Sequence, residues 1–341
     1  MICYFYLPAS AKNDATVFFC EIVKKAFLKI DIEVNEIHDL ENTQIERESF
    51  TFTVRIVDYL KISKYSENNI FWFQGIQPEE TVLINDGSLK SKLLYYYVSY
   101  KERIVLKTSF LNIFVSNAMK DHYMKKYGQY SSMKDVIIPC YNKGIEEELF
   151  HLDGKYDKLN FVYAGSMSSW QCLEEAAQIF AEILILNSSA TFTILTNEEN
   201  KVEELINKYE LRNVYTDYVA LENLQEYLAK FKYAFLLRKN HIVNKVSTPT
   251  KMNSYLASGI IPIYTDAVSS FEENIDLKEF GVKVCLDNNN YKNIADQLLE
   301  HHQKRIDAKM IMTCYKRIFS EYYSDDKYVE LLGAKINELC K

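Results

Sequence analysis

Residues 233–265, YAFLLRKNHIVNKVSTPTKMNSYLASGIIPIYT, set two short apolar runs on either side of a segment with helical signals. Runs as apolar as YAFLL and IIPIY suit strands covered on both faces. A helix joining two such strands makes them parallel, because parallel neighbours need a crossover. Thr248 suits the N-cap, Pro249 the first helical position and Gly259 the position after the helix, with Pro262 just beyond. This unit restricts the chain to a parallel sheet flanked by helices. It also sets a helix N-terminus at the carboxyl edge of a strand, where unpaired N–H groups and the positive dipole end attract anions. Arg238, Lys245 and Lys251 crowd that edge, which predicts a phosphate or diphosphate ligand. Backbone N–H groups near Thr250 would hold the phosphate. Lys251, Ser254, Tyr255 and Ser258 fall on one polar face, while Met252, Leu256 and Gly259 mark the face that packs on the sheet. The plainer reading of that polar face is a solvated one.

The same alternation runs through the chain. In the first half, strands are expected over 3–7, 32–37, 70–73, 113–116 and 136–138, and helices over 17–30, 50–60, 89–107 and 118–127. A polar stretch over 141–158 is the candidate linker. The second half repeats the grammar, with strands over 161–164, 191–195, 214–219, 233–237 and 282–286 and helices over 173–184, 202–209 and 224–231. The tail from 294 to 339 reads as helical. The expected architecture is α/β, with two Rossmann-like doubly wound domains whose strand carboxyl ends face a ligand cleft. The expected domains are 1–150, 151–320 and a helix over 321–341 that returns to the first.

A length of 341 residues suits two such domains. A net charge of −7 argues against wholesale nucleic-acid binding. The seven scattered cysteines contain no C-x-x-C pair, so neither a disulfide framework nor a zinc site is expected, and a reducing cytoplasm fits. MICYFYLPAS reads as a first strand, not a signal peptide, and no apolar run approaches the roughly 20 residues of a membrane span.

Three further segments carry possible chemistry. FVYAGSMSSW, 161–170, runs from a strand into a Gly-Ser loop, where Gly165 allows close backbone approach and Ser166 and Ser168 offer hydroxyls to phosphate. FWFQGIQPEE, 71–80, places Gln74 and Gly75 directly after a buried strand, with Glu79 in the next helix. These three are the candidate acceptor residues, and ordinary helix capping by Pro78 and the acids is the alternative. The helix over 89–107 carries Lys90, Lys92, Lys101, Arg103 and Lys107 against Glu102, interleaved with Leu and Tyr. Such a helix suits the surface of an anionic membrane, or equally a core helix with solvated lysines. G-x-G-x-x-G, Walker A, G-x-S-x-G and H-E-x-x-H motifs are absent, as is a D-x-D after a strand, and the histidines show no metal spacing except the adjacent His301–His302 pair.

With these residues in place, the second half resembles the nucleotide-binding domain of GT-B glycosyltransferases. It is most similar to the retaining family that builds bacterial capsules and O-antigens. FVYAGSMSSW, the LLR at 236–238 and VSTPTKMNSYLASGIIPIY at 246–264 carry the resemblance, the last against the family pattern P-T-K-x-x-E-Y-L-A-x-G-x-P-V-I. FWFQGIQPEE and VSNAMKDHYMKKYG at 115–128 extend it more loosely to the first half. The resemblance implies a UDP- or GDP-sugar whose phosphates meet Gly165, Ser166, Arg238 and Lys245 or Lys251. It further implies no cofactor or metal, and an acceptor on the first domain. The family places two Glu separated by seven residues here, the second on the ribose; this chain has Val246 and Ser254.

The expected function is therefore transfer of a hexose or N-acetylhexosamine to a glycan or lipid-linked acceptor in surface polysaccharide synthesis. Catalysis would rest on Arg238, Lys245 and Lys251, and the donor site on Gly165, Ser166, Ser168, Arg238, Lys245, Thr248, Thr250, Lys251, Ser254 and Tyr255. The expected location is the cytoplasm or the inner face of the cell membrane. The loss of both Glu motivates the alternative of a catalytically silent partner subunit of a heteromeric glycosyltransferase. A sugar-nucleotide epimerase on the same fold has no acid/base constellation to support it.

Overall fold

The computed structural model describes residues 1–11, 14–85, 88–128, 134–286 and 290–341. The chain divides into two compact units. The first holds Met1–Cys140, Lys245–Thr248 and Ser324–Lys341; the second holds Tyr141–Asn244 and Pro249–Tyr323.

The first unit is built on a parallel sheet of six described strands in the order β2-β1-β3-β4-β5-β6. They are β1 (Ile2–Tyr6), β2 (Glu33–Ile37), β3 (Phe50–Thr53), β4 (Asn68–Phe73), β5 (Leu111–Phe114) and β6 (Asp135–Ile137). One expectation fails here. Residues 50–60 are not one helix but the inner strand β3 followed by the helix Ile56–Ile62. FTFT has the aromatic and β-branched composition of a strand, and all four residues are buried between β1 and β4. Phe52 stacks on Phe5 with ring centres 4.6 Å apart, and Phe73 on Phe114 at 5.1 Å. The C-terminal helix Asp325–Leu339 packs on the helix Asp14–Lys29. Gly333 lets them approach, since a Cβ there would stand 3.2 Å from Ile30 Cγ2. The ion pairs Lys25–Asp325 and Lys29–Glu330 close the same seam.

The second unit repeats the plan in the order β12-β11-β10-β7-β8-β9, again all parallel. Its strands are β7 (Asn160–Ala164), β8 (Thr191–Leu195), β9 (Val214–Asp217), β10 (Tyr233–Leu236), β11 (Ile261–Tyr264) and β12 (Val282–Lys283). The chain moves outward from β7 through β8 to β9, then returns to the other side of β7 with β10. The strand order therefore reverses between β7 and β10, and such a reversal opens a crevice at the carboxyl ends of the two strands. The polar run 141–158 forms part of this unit and buries Leu149, Phe150 and Lys155 in it.

Phe161, on β7, joins the two halves of the second sheet. Its ring stacks on Tyr233 at 5.3 Å and Phe235 at 5.5 Å, and meets Phe180 edge-on at 6.0 Å. Phe161→Ala should cost about 3–5 kcal/mol by removing this fully buried ring and leaving a cavity. Urea unfolding followed by circular dichroism measures the loss, and a change below about 1 kcal/mol would contradict this account of the core.

Candidate functional site

The site in the second unit grows from the carboxyl ends of β7 and β10. After β7 comes Gly165, with φ of +136°. This backbone conformation favours glycine, and a Cβ here would stand 2.5 Å from Lys251 Nζ and push the lysine head aside. After β10 comes Arg238, only 6% exposed. Its backbone N–H donates to Thr265 Oγ1 at 3.1 Å, and the Thr265 hydroxyl donates back to Arg238 O at 2.8 Å, which fixes the strand end.

Gln171 draws the two cations together. Its Oε1 accepts from Arg238 Nη1 and, at 2.8 Å, from Lys251 Nζ. Arg238 Nη1 also reaches Trp170 O at 3.3 Å, while its Nε has no hydrogen-bond partner. Lys251 Nζ donates to the Tyr163 hydroxyl at 3.1 Å and lies 4.2 Å from the centre of that ring. All these acceptors are neutral. Two basic side chains beside a helix N-terminus, with no carboxylate among their partners in the described residues, make this edge suit an anion. Burial pushes the Lys251 pKa well below the usual lysine range, and the neighbouring Arg238 charge adds to the effect. Burial also lowers that of Arg238.

Two readings of the helix Thr250–Ala257 change. Its N-cap is Pro249, not Thr248. A residue before proline favours extended backbone, so the helix starts later. Thr248 Oγ1 instead accepts from the Cys140 N–H at 3.0 Å within the first unit, where Val246 O also accepts from Ser116 Oγ at 2.6 Å. The polar face, moreover, is not solvated. Ser254, Tyr255 and Ser258 are buried, and the latter two are wholly so. The Tyr255 hydroxyl accepts from the Ala164 N–H at 3.2 Å, tying the helix to the end of β7. Ser254 Oγ donates back to Thr250 O at 3.2 Å.

Arg238, Lys251 and Gly165 are thus brought together. Ser166 and Ser168 stand nearby on the loop, their hydroxyls 3.1 Å apart. Lys245 is exposed and, like Thr248, belongs to the first unit. Tyr163 and Gln171 escaped the sequence reading because a tyrosine inside a strand and a lone glutamine carry no pattern. Among the described residues, no group of three His, Cys, Asp or Glu is placed to hold a metal ion.

In the first unit, Gln74 and Gly75 line a cavity of about 420 Å³ at the carboxyl ends of β3 and β4, along with Arg55, Gln77, Glu80 and Glu102. Gln74 Nε2 is buried without a hydrogen-bond partner among the described residues. Glu79 does not join them. Burial pushes its carboxyl pKa upward, but His122 and Lys126, at 3.2 and 2.8 Å, outweigh that and hold it below the usual range. Glu80 takes its place at the cavity, accepting from the Ile76 N–H at 3.1 Å.

No family model and no curated protein matches this sequence. Solved structures do match. Anabaena HepE, crystallised with UDP-glucose, superposes with a TM-score of 0.67 over 99% of this chain and 100% of its own, at 10% identity. Sucrose-phosphate synthase from Thermosynechococcus elongatus gives 0.66 over 99% and 98%, at 12% identity. The fold is GT-B. S. aureus TarM, crystallised with UDP, gives 0.61 at 12% identity over 86% of this chain; the match spans 55% of TarM, about half its length.

An anion bound beside Lys251 would raise its depressed pKa, so binding takes up a proton wherever the free site has begun to lose one. Affinity should fall as pH rises through the window between the depressed lysine pKa of the free site and the higher one of the complex. Folding stability carries the opposite sign: the unfolded lysine, near 10.5, binds the proton that the free folded site releases, so stability from this group rises with pH across that range. Calorimetry with UDP at pH 7 and 9 should show weakening of up to about tenfold per pH unit in the wild type. Weaker binding that no longer varies with pH is expected of Lys251→Met.

Proposed function

We propose that the protein is a metal-independent, retaining glycosyltransferase. It transfers a hexose or N-acetylhexosamine from a UDP- or GDP-sugar to a glycan or lipid-linked acceptor in surface polysaccharide synthesis. The observation that carries this reading is the pairing of Arg238 and Lys251 on Gln171 Oε1, with no carboxylate partner among the described residues, at the strand-order reversal of the second sheet. Two preorganised cations stabilise the charge that develops on a departing nucleoside diphosphate. Gly165 and the N–H groups near Thr250 complete the phosphate cradle, and Ser166 and Ser168 form its rim. Ser254 stands where the family's ribose-binding Glu would be, Tyr255 braces the helix, and Thr248 anchors the preceding segment. As the acceptor hydroxyl attacks the sugar carbon, the bond to the diphosphate breaks and the hydroxyl proton passes to a departing phosphate oxygen. In the first unit, Gln74, Gly75 and Glu80 face the acceptor, with Glu79 holding the helices behind them. The site works in a reducing compartment, at or near the inner face of the membrane.

A nucleotide at about 100 times its Kd should add roughly 2.7 kcal/mol to the stability of the wild type. A thermal-shift series with UDP, GDP, ADP, TDP and CMP should give a shift with UDP or GDP, abolished by Arg238→Glu. Turnover of the matching sugar nucleotide should disappear in the same variant, and an unchanged rate would sink the assignment. Gln74→Leu should raise the acceptor KM several-fold and leave the nucleotide shift intact.

One observation favours a second reading, a catalytically silent partner subunit. Val246 and Ser254 occupy the two Glu positions, and the Val246 backbone and Ser254 hydroxyl are both engaged within the protein. The GtfA/B complex, a structural neighbour at TM-score 0.54 and 12% identity, is an assembly on a related fold. Silence with every nucleotide, with activity appearing only on mixing with a second transferase, would select it.

A further inference from the structure

The helix Leu89–Thr108 has two opposed faces. Its inner face is buried through Ser91, Glu102, Val105 and Leu106. Glu102 accepts from the Tyr123 hydroxyl at 2.8 Å and from Tyr127, pairs with Lys126, and contributes to the wall of the 420 Å³ cavity that holds Gln74 and Gly75. The outer face is unusual for a surface helix. Leu89 is 77% exposed, Leu93 67%, Tyr96 72% and Tyr100 66%. At 100° per residue these four fall within about 60° of one another, a continuous apolar stripe along three turns.

Cations flank the stripe on both sides. Lys92 and Arg103 lie along one edge and Lys90 and Lys101 along the other, while Lys107 stands in line with Leu89. The helix's single acid, Glu102, is on the buried side. An outer face with five cations and no anion contrasts with a chain of net charge −7. An aliphatic and tyrosine stripe between two basic rows matches a helix lying in the plane of an anionic bilayer, where aromatic rings settle at headgroup depth and lysines reach phosphate.

We propose that this outer face docks the first unit on an anionic lipid surface, so that the acceptor cavity receives a substrate presented from that surface. Glu102 and the stripe lie on opposite sides of one helix, so the cavity wall stands about 10–12 Å from the headgroups, one helix diameter. A sugar on a lipid carrier spans such a distance, whereas a soluble glycan gains nothing from it. This rests on the acceptor side of the proposed function and adds the bilayer as partner.

Flotation with vesicles of phosphatidylcholine alone, or with about a third phosphatidylglycerol, tests it. The wild type should float with the anionic vesicles and not with the neutral ones. At about 1 kcal/mol per basic residue, the variant Lys90→Glu/Lys92→Glu/Lys101→Glu/Arg103→Glu should lose a hundredfold or more in partitioning. The variant Leu93→Ser/Tyr96→Ser/Tyr100→Ser should lose at least tenfold. All these side chains point away from the core, so both variants should keep the wild-type melting temperature and the same UDP shift. The UDP shift reads the second unit separately, so a failed flotation leaves the donor reading standing. No flotation of the wild type, or equal flotation of either variant, would overturn the proposal. A wild-type dimer in light scattering that the serine variant dissolves would overturn it too, by assigning the face to a second copy.

Discussion

Everything about the second unit's edge turns on a neutral amide oxygen between two cations. Gln171 Oε1 lets Arg238 and Lys251 share a few ångströms without a carboxylate to neutralise them. Like charges at such a distance repel, and enclosure strengthens the repulsion. The arrangement persists because the surroundings over-determine it. Thr265 pins the end of β10, Tyr255 ties the helix to β7, and Gly165 removes the side chain that would fill Lys251's place. The cost is borne by a core of stacked aromatic rings beneath, in which Phe161 touches both neighbours across the sheet reversal. An anion at this edge would relieve that repulsion.

Much of the architecture was legible because parallel sheets write a simple signal: short apolar runs, each followed by a helical stretch. The signal failed at β3, where FTFT lies only two residues before a helix and the two periods blur. It failed again at Thr248. Its hydroxyl is a good cap by residue type, but tertiary structure gives it the Cys140 amide instead. Arg238 and Lys251 could be read because a helix start after a buried strand is a local pattern, whereas Lys245, read with them, belongs to the first unit. Tyr163, Gln171 and Thr265 could not, since what qualifies them is their position in space. The Glu79 and Glu80 exchange has the same origin: adjacent carboxylates on one helix point different ways, and only packing decides which one meets His122 and which one the cavity.

The first unit combines burial and exposure differently. Its helix Leu89–Thr108 hides its one acid and displays its aromatics, the reverse of ordinary surface economy. Among the described residues no helix is long and apolar enough to cross a membrane.

The seam between the helices Asp14–Lys29 and Asp325–Leu339 bears on biosynthesis. The first unit comprises the opening 140 residues, but it also includes the segment from Ser324 onward. On a ribosome adding about 5–20 residues per second, its N-terminal helix emerges and then waits roughly fifteen to sixty seconds for the partner that covers it. The unit made first is thus the unit completed last. Until then, the surface at Ala26 and Ile30 that receives Gly333 stays open, and chaperones and proteases have their longest access to the nascent chain there.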